Sequence, residues 1–195
     1  MDNALSRNGR RQVFKETYPA LVSMRAFEDS VWLWPSMAQN AYQTAEIIAS
    51  LAGIGRSRIV PEFSKLDMRG VGALDHGQLR VVQEEVRVGD EASALWRTPK
   101  GSDGTPSESS TDVLVRTREL LSLLETQYYG NTIFIISPDS DNLSILQAAV
   151  LGIDLRGHTQ FGQAPGEVRW LQVDSSVERD DSPRQIACPR PPLCL

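Results

Sequence analysis

The clearest hydrophobic pattern in the chain is an apolar run that stops at polar residues and then resumes with helical spacing. The run covers 132–136, the polar residues cover 137–142, and the helical spacing continues to about 152. This order predicts a buried strand, a tight turn and a packed helix. Because ligands bind beyond the carboxyl ends of strands in open α/β sheets, we expect a site in this turn.

Other apolar patterns predict further helices and short strands along the chain. The spacing predicts helices over about 7–18, 38–52, 79–86 and 111–128, and strands over 31–34, 59–61 and 167–173. We expect the first helix to end at about residue 18, before Pro19, or a little further along the chain. We expect Gly53 to end the second helix, and Ser110 or Thr111 to cap the last. A tract rich in Pro, Gly and Ser over 98–110 predicts a mobile surface loop, and Trp96 is expected to anchor the segment before it.

The alternation of strands and helices predicts one α/β domain over 1–173, built as a three-layer sandwich with a mainly parallel sheet. A chain of 195 residues is long enough to bury a core of its own. The stretch 174–195 is polar and then rich in proline, so we expect a disordered tail. Both cysteines, Cys188 and Cys194, lie in that tail, and we expect free thiols, with a disulfide loop between them as the alternative.

The charge balance argues against a general nucleic-acid binder, because 25 acidic and 20 basic residues give a net charge of −5. A local basic patch around Arg7, Arg10 and Arg11 stays open. No apolar run is long enough to cross a bilayer, and the first residues lack the apolar core of a secretory signal. We therefore expect a soluble intracellular protein with no nucleic-acid partner and no membrane span.

Four segments of the chain carry, in matching order, the motifs of one known family. Gly9-Arg-Arg-Gln12 within 4–12 and Gln43-Thr-Ala45 within 36–48 come first, followed by 66–75 and 135–147. They resemble the Gly-Arg-x-Gln helix, the Ser-Pro-x-x-Arg-Ala-x-Gln-Thr-Ala helix, the Gly-x-x-Glu-Gly neighbourhood and the Ser-His-Gly turn of the histidine phosphatase superfamily. The resemblance covers about 4–173, and implies a phosphoglycerate-mutase-like fold and phosphatase or phosphomutase chemistry without metal or cofactor.

The same resemblance implies that the family's catalytic residues are replaced. Its nucleophilic His and one phosphate-binding Arg lie in an Arg-His-Gly motif that ends a first strand, and this sequence begins after the expected place of that strand. Alignment on Gln43-Thr-Ala45 places Asn40 at a second phosphate-binding Arg. Met68 falls at the proton-donating carboxylate, and its neighbour Asp67 could substitute only if the loop shifts by one residue.

The predicted turn is acidic where the family carries its second catalytic His. The resemblance places Asp139 at that His, or Pro138 if a one-residue gap is allowed. Two carboxylates, Asp139 and Asp141, would repel a phosphate dianion, although both also suit a helix cap. We expect no intact catalytic set and no metal site, and we expect ligand-binding side chains at the end of the strand and beside it: Asn40, Asp67, Ser137, Asp139, Ser140 and Asp141.

The chain contains only two histidines, and neither falls at the carboxyl end of a predicted strand. His76 lies in a loop and His158 follows Gly157, so we expect both to be surface imidazoles. Ser137 lacks the flanking glycines of a nucleophile elbow and is interpreted as a serine at a strand end. No residue in the chain therefore stands out as a nucleophile.

These observations predict a histidine-phosphatase-like pseudoenzyme that acts by binding or regulation, with a small anion or a protein as ligand. An active phosphomonoesterase or mutase is the first alternative, its catalytic strand absent from this chain by truncation or splicing. A magnesium-dependent aspartyl phosphatase using Asp139 and Asp141 is the second. Without a first strand, an exposed sheet edge predicts self-association. Plastid and cytoplasm both stay open as the compartment.

Overall fold

The computed structural model describes residues 3–171. Two strands, β1 and β2, and six helices, α1 to α6, make up the described fold, together with one π-helical turn and three short 3₁₀ turns. In chain order they are α1 Arg7–Gln12, the π-turn Val13–Thr17, α2 Tyr18–Ser23, β1 Val31–Pro35, α3 Gln39–Ala52, 3₁₀ turns Arg56–Arg58 and Gly72–Leu74, α4 Leu79–Ala92, α5 Ser110–Gln127, β2 Thr132–Ile136, α6 Asp141–Val150 and the 3₁₀ turn Leu155–Phe161.

The two strands lie parallel, with Val31 opposite Thr132 and Pro35 opposite Ile136. On the other side of β1 an extended segment, 59–62, also runs parallel, and the Val60 amide donates to the Leu33 carbonyl at 2.8 Å. Strand β1 therefore lies between this segment and β2. The predictions of a parallel α/β sheet and of strands at 31–34 and 132–136 are confirmed. The strand predicted at 59–61 is not formed as such, because the segment meets β1 through two isolated parallel bridges only.

Helices cover both faces of the sheet because neighbouring residues of a strand point to opposite sides. On one face Leu33 and Phe134 pack against the π-turn, α2 and α3, and on the other Trp34 packs against α5. The first cluster is made by Val13, Leu21, Ala26, Val31, Leu33, Ala45, Ile48, Ala49, Ile59 and Phe134, and the second by Trp34, Leu66, Leu120 and Leu124. The predicted three-layer sandwich is thus the observed arrangement.

Strand β2 has apolar side chains packed on both faces but the hydrogen bonding of an edge strand. Phe134 packs into the first cluster, while Ile133 and Ile135 pack against the second. The bonds to β1 use Thr132 and Ile136, so the backbone groups of Ile133 and Ile135 point to the opposite edge. Within residues 3–171 no strand pairs with that edge.

The first helical segment passes Pro19 and takes the further of the two ends that the pattern left open. The helix continues to Ser23, because a π-turn lets the Tyr18 amide donate to the Val13 carbonyl five residues back. Pro19 then sits in the first turn of α2, where a missing amide hydrogen costs little. The turn keeps Val13, Thr17 and Leu21 together on the buried face.

Two other local predictions also need correction. Residues 167–171 form no strand; the Arg169 guanidinium in this segment donates to the Phe161 carbonyl at 2.8 Å and to Gln147 at 2.9 Å. The cap of α5 is Ser109, which shares a capping box with Asp112, because that box satisfies two backbone donors together. Residues 172–195, with the predicted tail and both cysteines, lie outside the described residues.

The polar tract 98–110 is anchored at both ends. Ser107 donates to the Thr98 carbonyl at 2.6 Å, and the Gly72 amide donates to the Pro106 carbonyl at 2.8 Å. A side chain at Gly70 or Gly72 would collide with the backbone of this tract. Mobility of the loop stays a prediction, and its anchored ends bring Glu108 towards the loop that follows the 59–62 segment.

Candidate functional site

The candidate site lies beyond the carboxyl ends of β1 and β2, where α3 and α6 begin. Asn40 lies in the first turn of α3, and its Nδ2 donates to the Pro138 carbonyl at 3.0 Å. Its Oδ1 accepts the Ala41 amide at 2.9 Å, which orients the side chain. The two strand-to-helix turns are therefore in contact, as expected for neighbouring parallel strands.

Asn142 joins this corner to the loop after the 59–62 segment. The side chain is fully buried, and its Nδ2 donates to the carbonyls of Leu66 at 3.1 Å and Asp67 at 2.8 Å. The same nitrogen lies 3.2 Å from the Ser137 hydroxyl, while Oδ1 is buried without a partner. The structure thus brings Ser137 and the backbone of Asp67 together through the Asn142 side chain.

Asp139 is half-buried, and burial raises the pKa of its carboxyl group to about 6. The neighbouring charge of Asp141 also raises this pKa, whereas the backbone amides of Asp141 and Asn142 lower it. The Asp141 amide donates to Asp139 Oδ1 at 3.1 Å, so Asp139 caps the start of α6. The helix-capping interpretation is therefore realised, and it places a readily protonated carboxyl group in the turn.

The remaining predicted site residues surround this turn without forming a cationic pocket. Ser140 is the N-cap of α6 but makes no side-chain capping bond. Met68 is 57% exposed, and a thioether cannot donate a proton in place of a carboxylic acid. Burial raises the pKa of the neighbouring Asp67, against the opposing charge of Arg116. The corner is consequently lined by carboxyl groups.

Two arginines near the site are already bound by other groups. Arg69 Nη1 and Nη2 donate to the two Asp90 oxygens at 2.6 and 2.8 Å, and its Nε donates to the Glu108 carbonyl at 2.9 Å. Arg116 donates to the Glu108 carboxylate at 3.0 Å and to the Asp67 carbonyl at 2.9 Å. Neither guanidinium is free to bind an anion without losing these bonds.

A buried polar network lies behind the site, and the sequence did not predict it. His158 is 1% exposed; its Nε2 hydrogen-bonds the Asp90 carboxylate at 3.0 Å, and its Nδ1 lies 3.0 Å from the Ser144 hydroxyl. Arg69 lies 3.5 Å from Asp141, which links the network to the site. The prediction that His158 is a surface imidazole is wrong, because its partners are distant in the sequence. His76, with its side chain 82% exposed, lies at the surface as predicted.

The described residues offer no group of three or more His, Cys, Asp or Glu side chains arranged to hold a metal ion. Asp139 and Asp141 are neighbours, but Oδ1 of Asp139 already accepts a backbone amide. The geometry therefore gives no support to the magnesium-dependent alternative. Among the helices of 3–171, none is long and apolar enough to cross a membrane.

Comparison with known proteins supports the similarity of the motifs. A family model described as the histidine phosphatase superfamily (branch 1) matches residues 1–179. No curated protein matches the chain.

Solved structures share the fold at low sequence identity. A structure described as mycobacterial hydrolase 1 has a TM-score of 0.62 and 21% identity, covering 83% of this chain and 75% of its own. A mycobacterial glucosyl-3-phosphoglycerate phosphatase has a TM-score of 0.59 and 21% identity, covering 83% and 74%. YhfR of Bacillus stearothermophilus has a TM-score of 0.57 and 20% identity, covering 79% and 70%. At these identities the likeness concerns the fold alone.

Proposed function

Because the chain belongs to the histidine phosphatase superfamily, we propose that its α/β domain is a non-catalytic member that acts by binding or regulation. The domain retains the corner at which α/β proteins bind ligands, and uses it without phosphoryl transfer. The observation that carries the proposal is that carboxyl groups line this corner. Burial and the neighbouring charge of Asp141 raise the pKa of Asp139 to about 6.

Phosphoryl transfer makes two demands that the described residues do not meet. The reaction needs an attacking group and clustered cations that offset charge on the transferring oxygens. Ionised Asp139 and Asp141 have the opposite charge and repel a phosphate dianion. Asn40, at the position of a family arginine, donates a hydrogen bond to Pro138 but supplies no charge.

The two histidines of the chain are poorly placed to act as the nucleophile. His76 lies at the surface, next to Asp75 and Asp103. His158 is enclosed, with both ring nitrogens in hydrogen bonds. Freeing His158 would leave Asp90 and Arg69 with a disrupted buried network, which is costly.

The ligand that suits this corner is a protein segment rather than a small anion. The carboxyl groups at the ends of the strands provide hydrogen-bond acceptors, whereas uncommitted cations are lacking among the site residues described above. A peptide supplies amide and ammonium donors, and an anion does not. Inorganic phosphate should accordingly give no thermal stabilisation of the chain above pH 6, where Asp139 is ionised.

An activity assay tests the proposal directly. The purified chain is incubated with a panel of phosphomonoesters, alongside the variants Asp139→Asn and Asn40→Ala and the exposed control Asp29→Asn. We expect no hydrolysis above buffer and no acid-labile phosphate on histidine. Hydrolysis that is lost in Asp139→Asn or Asn40→Ala but kept in Asp29→Asn would overturn the proposal.

One observation favours the alternative of an active phosphomonoesterase or mutase. The outer edge of β2 is unpaired within 3–171, and a further parallel strand with catalytic residues could pair there. The assay separates this alternative from aspartyl chemistry by adding EDTA. Activity that resists EDTA supports a histidine route, whereas activity that EDTA abolishes supports a magnesium route through Asp139 and Asp141.

A further inference from the structure

A concentrated basic surface lies on the first helical segment of the chain, and its charge is opposite to that of the acidic corner. Four exposed cations, Arg7, Arg10, Arg11 and Lys15, occur within nine residues, and no acidic residue lies among them. Residues three and four apart are neighbours on a helix, so these side chains form one continuous patch. We call these four residues the basic face.

The cations of the basic face are not used inside the described part of the protein. None of the four makes an ion pair with any residue in 3–171, whereas most other arginines are paired. Glu16, the nearest acid in sequence, instead accepts a hydrogen bond from Gln12 at 3.1 Å. In a chain of net charge −5, this concentration of unpaired positive charge stands apart.

The placement of these charges works against the helix that carries them. The positive end of a helix dipole disfavours cations in the first turns, and like charges four residues apart repel each other. α1 has no acidic residue in its first turn to offset this. Local arrangements that cost stability without a gain in packing are typical of functional surfaces.

Large apolar side chains lie beside the cations. Phe14 is 51% exposed, and follows Arg10 by one helical turn and Arg11 by three residues. Further along the same helical segment Val22 is 51% exposed and Met24 is 39% exposed. Cations interspersed with exposed apolar groups on a convex helix suit a membrane interface, where the charges meet anionic headgroups and the apolar groups enter the acyl boundary.

We propose that the basic face binds the surface of an anionic phospholipid membrane, with Phe14 entering the interface. The opposite side of the helix is held in the core by Val13, Thr17 and Leu21, so the helix stays folded while it binds. The interaction is peripheral and electrostatic. It is independent of the proposed use of the acidic corner.

Vesicle sedimentation of the full chain tests this surface. We expect binding to vesicles that contain phosphatidylserine, little binding to phosphatidylcholine alone, and a loss of binding as salt is raised. Replacing Arg7, Arg10, Arg11 and Lys15 by Gln should weaken binding about tenfold or more. The control replaces three exposed, unpaired cations elsewhere, Arg80, Lys100 and Arg118, by Gln and should keep most of the binding; the triple variant Arg7, Arg10 and Arg11 to Gln matches it in charge and should still weaken binding.

A second variant isolates the apolar contribution. Phe14→Ser leaves the charge unchanged and should weaken binding several-fold, whereas the control Val81→Ser, at a residue 58% exposed on α4, should not. Circular dichroism checks that each variant is folded. Equal binding to both vesicle types, equal loss in the control variants, or binding to poly-glutamate or duplex DNA but not to vesicles would overturn the proposal.

Discussion

At the scale of single residues, Asp139 makes the candidate site sensitive to pH. Its pKa is raised from 3.8 to about 6 by burial and by Asp141, so the folded state favours the protonated form. The folded state therefore loses stability as pH rises from about 4 through about 6, when the unfolded chain ionises more readily than the native one.

We predict that Asp139→Asn stabilises the protein above pH 6 by about 1–3 kcal/mol and has little effect near pH 4. The amide keeps an oxygen that can accept the Asp141 amide but cannot ionise. Urea unfolding of wild type and variant across this pH range measures the difference. The exposed Asp29→Asn serves as control, and an equal gain at both pH values would refute the assignment.

The buried pair of Arg69 and Asp90 gives a second prediction at this scale. Burial opposes ionisation of Asp90, but hydrogen bonds from Arg69 and His158 outweigh it and hold the pKa below the usual value. Asp90→Leu should lower the free energy of unfolding by about 3–5 kcal/mol, because the buried Arg69 charge loses both bonds to Asp90 and keeps only the 3.5 Å ion pair with Asp141.

The double variant Arg69→Met with Asp90→Leu checks the cause of that loss. Removing both charges should cost much less than removing Asp90 alone, since no unpaired charge remains. Chemical denaturation of the two single variants and the double variant completes the cycle. Additive losses would mean that the residues contribute through packing and not through their pairing.

Sequence patterns identify residues whose role depends on their neighbours in the sequence. They miss residues whose partners are distant in the sequence. Asn40, Asp139 and Asp141 follow a predicted strand or open a predicted helix, so their place at one corner could be anticipated. His158 could not, because its Asp90 partner lies 68 positions away and no local pattern links the two. The burial of Asn142 Oδ1 without a hydrogen-bond partner likewise results from tertiary packing, which the spacing of residues along the chain does not predict.

At the scale of elements, helix α4 depends on one close contact with the segment after it. Trp96 packs directly on Gly89, and a Cβ at that glycine would overlap the indole ring. The expectation that Trp96 anchors this region is consistent with the contact. The glycine is thus required by proximity and not by backbone conformation.

We predict that Gly89→Ala lowers the free energy of unfolding by about 1–3 kcal/mol, although alanine favours helix by about 1 kcal/mol. The overlap with Trp96 forces one of the two elements to move. Thermal or urea unfolding measures the loss, with Glu85→Ala on the exposed side of the same helix as control. If Gly89→Ala stabilised the protein, the close packing would be disproved.

Element boundaries followed the apolar pattern where the local chemistry was ordinary. Helix α3 ends at Ala52 because Gly53 adopts a left-handed conformation with φ of 68°, as its sequence predicts. The first helix could not be predicted in the same way, since a proline read alone indicates a stop. The π-turn before Pro19 and the packing of Leu21 in the core together accompany the continuation of the helix past Pro19.

At the scale of the whole molecule, the prediction of self-association depends on the edge of β2 that no strand covers within 3–171. The strand is apolar except for Thr132, carries no charge or proline, and has both faces packed. Natural edge strands are usually protected by charge, proline or a bulge. The described part of the chain therefore presents an unprotected edge, in keeping with the prediction of self-association.

We predict that the isolated chain self-associates through this edge, and that Ile133→Pro reduces the association. Proline removes an amide that points away from β1, so the ladder within the sheet is kept. Analytical ultracentrifugation over a concentration series measures the change. Ile133→Ala removes similar packing but keeps the amide; equal effects of the two variants would contradict pairing through the edge.

The π-turn Val13–Thr17 also affects how this chain is compared with others. On a regular helix, each step of four residues turns the side-chain direction about 40° beyond one full turn. The wider π-turn takes up this rotation because it accommodates one additional residue. An alignment that assumes a regular helix would place a gap wrongly, shifting Gly9-Arg-Arg-Gln12 by one position against Leu21. Homologues that lack the extra residue should therefore show their deletion here and not in the loop before the helix.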